Sequence, residues 1–189
     1  MFFKRREVDA GQLFIEESRL RSRGDYDGAL RVLKEILKAY PDRSEAHNNA
    51  GAILLMQGKI KDAAKHFERA VELQPYNAQA HNNLGECYRR LGQLDDAARA
   101  LERAIANGYR HEGAYYNLGR ILLDAGKTQA AMDQFILALR TNPTYVPVLQ
   151  TLAMIGRYNG GISNPTTIDD AERIKAALQK AGNPQIGLL

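Results

Sequence analysis

The chain has 189 residues, 44% hydrophobic and 25% charged, with a net charge of +4. That is ordinary globular usage, which excludes wholesale disorder and a fibrous chain. No window approaches the roughly 20 apolar residues of a membrane-spanning helix, and a single cysteine, Cys87, cannot form an intrachain disulfide or a thiolate metal site.

The start, Met1-Phe2-Phe3-Lys4-Arg5-Arg6, is basic but no apolar run follows it, so no secretory leader is expected and the cytoplasm is the expected compartment. Beyond this lead-in, residues 1–9, the sequence repeats. Ala46-His47-Asn48-Asn49-Ala50-Gly51 returns 34 residues later as Ala80-His81-Asn82-Asn83-Leu84-Gly85, and again as Ala114-Tyr115-Tyr116-Asn117-Leu118-Gly119. Gly58, Gly92 and Gly126 keep the step, as do Phe67, Leu101 and Phe135, and Ala70, Ala104 and Ala138. Units at 10–43, 44–77, 78–111 and 112–145 follow, and a fixed period of this length is the signature of a stacked array.

Unit 1 departs from its successors: Glu16 and Glu17 stand where they carry Ala50-Gly51, Leu84-Gly85 and Leu118-Gly119. A buried unpaired carboxylate is expensive, so the first helix is expected to pack loosely or rotate. In unit 2, Ala50, Ile53 and Leu54 recur at helical spacing, and Gly58 ends the helix because glycine takes the left-handed conformation cheaply. A second helix presents Ala63, Ala64, Phe67, Ala70 and Val71 on one face and stops before Pro75. Gly51 and Gly85 are expected to face Ala63 and Ala97, letting the axes approach to roughly 8 Å.

Unit 3 ends in Asn107-Gly108-Tyr109, a turn pair that tolerates a positive φ. A degenerate fifth unit, residues 146–181, begins with Val146, Leu149, Leu152 and Ala153 in register and is interrupted near 159–166 by Gly160-Gly161-Ile162-Ser163-Asn164-Pro165. Its second helix is predicted to be capped by Thr167 with Asp170, to bury Ile168, Ala171, Ile174 and Leu178, and to keep its other side polar as a terminal cap. Residues 182–189 are a tail.

This pattern resembles the tetratricopeptide repeat family, a resemblance that covers residues 10–145 closely and 146–181 loosely. It implies an all-α fold, a right-handed α-solenoid of helix–turn–helix units whose first helices line a concave groove. By that resemblance the groove receives Asn48, Asn49, Leu55 and Met56 from unit 2; Asn82, Asn83, Glu86, Arg89 and Arg90 from unit 3; and Tyr116, Asn117, Arg120, Leu123 and Asp124 from unit 4. Units 1 and 5 would add Phe14, Ile15, Ser18, Arg21, Thr151, Met154, Arg157 and Tyr158.

Asn49, Asn83 and Asn117 occupy one position in three consecutive units. This looks like the asparagine ladder of the superhelix in O-linked N-acetylglucosamine transferases, which holds extended peptides by their main chain; an amide can donate and accept. The alternative is that each asparagine braces a neighbouring helix. Three such contacts total about 1.5–4.5 kcal/mol, against association costs of about 4–15 kcal/mol, so pockets at Tyr116, Leu55, Met56 and Leu123 must contribute. The family's chaperone-tail carboxylate clamp does not fit, since Phe14 and Ser18 precede Asn49 where lysine and asparagine are required. Arginines Arg21, Arg89, Arg90, Arg120 and Arg157 outnumber acids in the groove, favouring an acidic ligand.

Catalytic and metal chemistry finds little support. Gly126-Lys127-Thr128 imitates the end of a phosphate loop, but Ile121 stands where the first glycine belongs and no strand precedes it. His47 and His81 occupy equivalent places roughly 10 Å apart by unit stacking, too far to share zinc. His66 and His111 are read as isolated, and Cys87 as an inert packed thiol. The reading is a non-enzymatic adaptor without cofactor, metal or small-molecule substrate, holding an extended segment of a protein partner, with acidic segments favoured. The alternative is a self-assembling scaffold, a homo-oligomer joined through apolar ends at Phe14, Ile15, Ile186, Leu188 and Leu189. Nucleic acid is disfavoured because no dense basic stripe with interleaved aromatics exists.

Overall fold

The structure, a computed structural model, describes residues 9–158 and 165–180, with the side chains of 156–158 and 177–180 outside the description. Its helices are α1 (Ala10–Ser22), α2 (Tyr26–Ala39), α3 (Ser44–Met56), α4 (Ile60–Leu73), α5 (Ala78–Arg90), α6 (Leu94–Ala106), α7 (Glu112–Asp124), α8 (Thr128–Thr141), α9 (Val146–Tyr158) and α10 (Ile168–Lys180). No strand occurs among the described residues. Helices pair as α1 with α2, α3 with α4, α5 with α6 and α7 with α8, and each pair leans on the next through its second helix. The result is an all-α solenoid.

Local chemistry sets the helix ends. Asp9, Asp25 and Asn77 accept backbone N–H bonds at the starts of α1, α2 and α5, satisfying donors that a helix cannot pair internally. The turn after α3 passes through Gly58 at φ 75° and the turn after α7 through Gly126 at φ 73°, a conformation that costs an L side chain about 1–2 kcal/mol. Gly126-Lys127-Thr128 is therefore an inter-helix turn, with Thr128 buried at the start of α8.

The glycines inside the first helices have a different cause. A Cβ on Gly51 would come within 2.9 Å of the Phe67 ring, on Gly85 within 2.8 Å of Leu101, and on Gly119 within 2.5 Å of Phe135. The hydrogen at each glycine makes room for a large buried side chain of the second helix, and Ala97 faces Gly85 as expected, its carbonyl 3.3 Å from such a Cβ. Phe67, Leu101 and Phe135 are all fully buried there.

The core runs along the array in segments that bridge units. Leu33 and Ile36 of α2 pack with Ala50 and Ile53 of α3; Phe67 with Leu84 and Cys87; Leu101 with Leu118 and Ile121; and Phe135 and Met132 with Leu152, Ile155, Ala171 and Ile174. Because every segment mixes residues of neighbouring units, no unit buries its apolar face alone.

At the far end α10 lies against α8 and α9. Thr167 Oγ1 accepts from the Asp170 N–H at 3.1 Å, and the Asp170 carboxylate accepts from the N–H groups of Thr166 at 3.0 Å and Thr167 at 3.2 Å. These bonds, that from Thr166 foremost, hold the Asp170 carboxyl below its ordinary range. Ala171 and Ile174 are buried, while Lys175 reaches Asp133 and Arg140 reaches Glu172 on the outer side. The inserted segment at 159–164, the Leu178 side chain and the tail lie outside the described residues.

In unit 1 the carboxylate is buried but paired: at 1% exposure Glu17 meets Arg21 Nε at 3.0 Å and accepts from the Asn49 amide at 3.4 Å. These partners on α1 and α3 offset its desolvation, and Glu17 is the one buried residue of α1 against six in α3, in keeping with the looser packing expected of the first helix. Phe14 likewise has a core, packing half-buried against the first segment with the Arg43 guanidinium 5.7 Å from its ring, whereas Ile15 is 63% exposed.

Candidate functional site

Helices α3, α5 and α7 carry the asparagines at one register, and all of Asn48, Asn49, Asn82, Asn83, Tyr116 and Asn117 are half-buried. The three amides differ in occupancy. Asn49 donates to Glu17, so at this rung the asparagine braces a preceding helix. The Asn83 and Asn117 side chains make no hydrogen bond within 3.5 Å among the described residues. Beside them, Asn48 Oδ1 and Asn82 Oδ1 are buried acceptors without a partner.

The arginines are distributed unevenly in charge. Arg89 forks onto Glu86 through two bonds of 2.9 Å, and Arg90 Nε reaches the same carboxylate at 2.6 Å. Burial pushes the Glu86 carboxyl up, but the hydrogen bonds from Arg89 and Arg90 outweigh it and hold the group below its ordinary range. Arg21 belongs to Glu17. Arg120 instead donates to the Tyr116 hydroxyl at 3.2 Å, with its guanidinium carbon 5.9 Å from that ring. The Arg157 and Tyr158 side chains fall outside the described residues. Glu17 thus neutralises Arg21, while Glu86 neutralises one charge of the Arg89–Arg90 pair and leaves one positive charge there.

Apolar exposure on the inner helices comes from Ile15, Met56 at 61% and Met154 at 45%. Tyr116 stands against Tyr145 in an edge contact at 5.8 Å and tilts over Phe135 at 6.1 Å. Leu123 must be struck from the groove: at 3% exposure it packs into the core formed with α8 and α9. Thr151 is also buried, its hydroxyl donating to the Pro147 carbonyl at 2.9 Å. A cleft of about 730 Å3 lies elsewhere: Tyr115, Leu118 and Leu122 floor it from the opposite side of α7, between α6 and α8.

The histidines have structural roles. His47 and His81 each place Nε2 on the carbonyl six residues earlier, Pro41 at 3.0 Å and Pro75 at 2.9 Å. His66 is not isolated, since its Nδ1 lies 3.1 Å from Nδ1 of His47. Burial, then the His47 charge, pushes the His66 imidazole below its ordinary value, against a smaller opposing effect of Asp62. His111 Nδ1 accepts the Gly113 N–H at 3.1 Å as an N-cap. Cys87 is fully buried, and burial pushes its thiol up to about 12. Among the described residues no three His, Cys, Asp or Glu side chains converge for a metal.

Sequence reading missed Glu17 and Glu86 as the organisers of this face. Glu86 had a signal, the acid followed by bases at i+3 and i+4 on one helix. The Glu17 contact, which crosses to another unit, had only the misfit at a small-residue position.

Family models described as tetratricopeptide repeat match residues 18–78, 54–118 and 112–145. No curated protein sequence matches the chain. Among solved structures, a crystal structure of MamA is 27% identical with a TM-score of 0.73, covering 88% of this chain and 94% of its own. YrrB, described as a TPR protein with an unusual peptide-binding site, is 21% identical with a TM-score of 0.72, covering 92% of each chain. The first TPR of Spaghetti (RPAP3), bound to the HSP90 peptide SRMEEVD, is 20% identical with a TM-score of 0.57, covering 60% of this chain and 93% of its own.

Proposed function

Residues 18–145 are tetratricopeptide repeats, and from that premise we propose that the chain is a non-enzymatic adaptor holding an extended segment of a partner protein along its inner face. The working divisions are units 10–43, 44–77, 78–111 and 112–145 with a fifth at 146–181. One observation carries the reading: Asn83 and Asn117 present half-buried amides, without internal hydrogen bonds, from the same register of α5 and α7. An amide that donates and accepts can pair with a peptide group whatever side chain follows it, the behaviour of the asparagine ladder in O-linked N-acetylglucosamine transferases. Peptide binding by YrrB and RPAP3 is in keeping with this reading.

Asn49 serves Glu17, so the ladder has two working rungs. Two amides contribute about 1–3 kcal/mol, less than association costs, and Tyr116, Met56 and Leu55 must supply apolar contact. The test is affinity capture from the chain's own cell extract with immobilised wild type beside Asn83→Ala/Asn117→Ala and Asn49→Ala/Asn83→Ala/Asn117→Ala, helix content and melting being checked in parallel. Both variants are expected to lose the captured proteins while staying folded. Undiminished capture by the folded triple variant rejects the groove.

A second reading, stacking of copies into a scaffold, rests on Ile15 of α1, an apolar side chain 63% exposed in the first unit. Light scattering over a concentration series separates the two. A monomer at high concentration removes the scaffold.

A further inference from the structure

The inner face is basic by sequence, but most of its guanidinium groups are spoken for. Glu86 takes both Arg89 and Arg90, and Glu17 takes Arg21. Arg120 differs. It has no ion pair within 4.0 Å among the described residues, Asp124 one turn further along α7 included. Its one side-chain hydrogen bond goes from Nη1 to the neutral Tyr116 hydroxyl, and its Nε is buried with no acceptor.

That bond fixes the arginine without neutralising it. Tyr116 is itself held by Tyr145 at 5.8 Å and Phe135 at 6.1 Å, so the fork stands half-buried against an aromatic wall. A guanidinium presents planar donors that suit a carboxylate, and the bond strengthens where water is partly excluded. The neighbouring amide, Asn117, lies three residues earlier on the same helix, about one turn away. Adjacent units are spaced about 10 Å apart, close to three residues of extended chain at about 3.3 Å each.

The geometry points to Arg120 as a subsite for a single carboxylate: an Asp or Glu side chain of the bound segment, within about two residues of the peptide group on Asn117. This rests on the groove reading above and specifies it. The partner is an extended chain with one acid fixed in place at Arg120, because Glu86 already engages the forks of Arg89 and Arg90, whose one remaining charge attracts acids without fixing one.

The probe is a phage library of random linear twelve-residue peptides fused through their C-termini, so that no free terminal carboxylate is offered. It is selected on wild type, Arg120→Gln, Asn83→Ala/Asn117→Ala and, as a control outside the groove, Arg103→Gln. Wild type and Arg103→Gln are expected to enrich peptides with an acid at one fixed position. Arg120→Gln should lose that preference and bind the recovered peptide about ten- to hundredfold more weakly, the loss of one charge-assisted contact. Acidic peptides bound equally by Arg120→Gln would overturn the subsite. So would peptides without a fixed acid that are nonetheless lost by the double asparagine variant, an outcome that leaves the groove standing. Failure of the folded wild type to enrich any peptide rejects groove and subsite together.

Discussion

Glu17 on α1 accepts a hydrogen bond from the Asn49 amide on α3 across 3.4 Å, joining two residues of different units. Glu17 stands at the register that holds glycine in the next three units, and its carboxylate is 1% exposed. Such a group is stable only while partnered, yet an apolar replacement of similar length escapes the desolvation cost altogether. Glu17→Met is therefore expected to leave the unfolding free energy unchanged or raise it by about 1–2 kcal/mol. Arg21→Ala, which strands the carboxylate, should lower it by about 1–3 kcal/mol. Denaturant unfolding of both variants gives the sign, and the same sign for the two would contradict this account.

The His47–His66 contact makes a pH prediction. His47 Nε2–H donates to the Pro41 carbonyl, so a neutral His47 accepts at Nδ1 and His66 Nδ1–H donates. With 3.1 Å between the two nitrogens, one proton sits between the rings and there is no room for a second. Burial and His47 lower the His66 pKa in the folded state below the ordinary histidine value of about 6.5, while Asp62 opposes them. The unfolded chain then binds more protons, so this contribution is complete above that value and is lost as pH falls from there through the folded pKa. Melting temperature should drop between pH 7.5 and 5.5, and His66→Gln should flatten part of that drop. Parallel curves for variant and wild type would dispose of the linkage.

Helix ends were legible because glycine, proline and capping side chains act over a few residues: Gly58, Gly126 and the Thr167–Asp170 cap all stand as read. The stacking of units was legible because a 34-residue period leaves helices no other way to bury their faces. What failed to show was long-range. Leu123 lies at the edge of the groove-facing arc of α7, and whether it lines the groove or the core depends on how far α9 covers it, which no pattern within α7 encodes. His66 meets His47 only through the register of α4 on α3. The pairing of Arg89 and Arg90 with Glu86 was local and could have been read, whereas Glu17, which neutralises Arg21, was left out of the count of groove acids because its burial against α3 is long-range.

The interior glycines predict a graded response. A Cβ at Gly119 would approach Phe135 to 2.5 and 2.7 Å and the Ala131 carbonyl to 3.2 Å, whereas at Gly51 the nearest atoms of Phe67 lie at 2.9–3.0 Å. Alanine gains about 1 kcal/mol of helix propensity over glycine, and overpacking costs about 1–3 kcal/mol. Gly119→Ala is expected to be the more destabilising, with Gly51→Ala close to neutral. Chemical denaturation ranks them, and the reverse order would show that Phe135 has room to withdraw.

The last prediction concerns where stability resides along the array. Among the described residues, the hold of helix α10 on the solenoid comes from Ala171 and Ile174 in the core of α7 to α9, with Ile168 packed beside it and Lys175–Asp133 and Arg140–Glu172 outside. Those two pairs are exposed and contribute little. Ile174, 2% exposed, is the largest buried side chain of α10 among the described residues, and Ile174→Ala should remove about 2–5 kcal/mol locally. In a quasi-one-dimensional array that loss stays near its source. Hydrogen exchange should show α10 amides losing protection, α8 and α9 following in part, and α1 to α4 unchanged. An even loss across all helices would mean that the repeats unfold as one cooperative block, and that α10 stabilises the whole array instead of its own end.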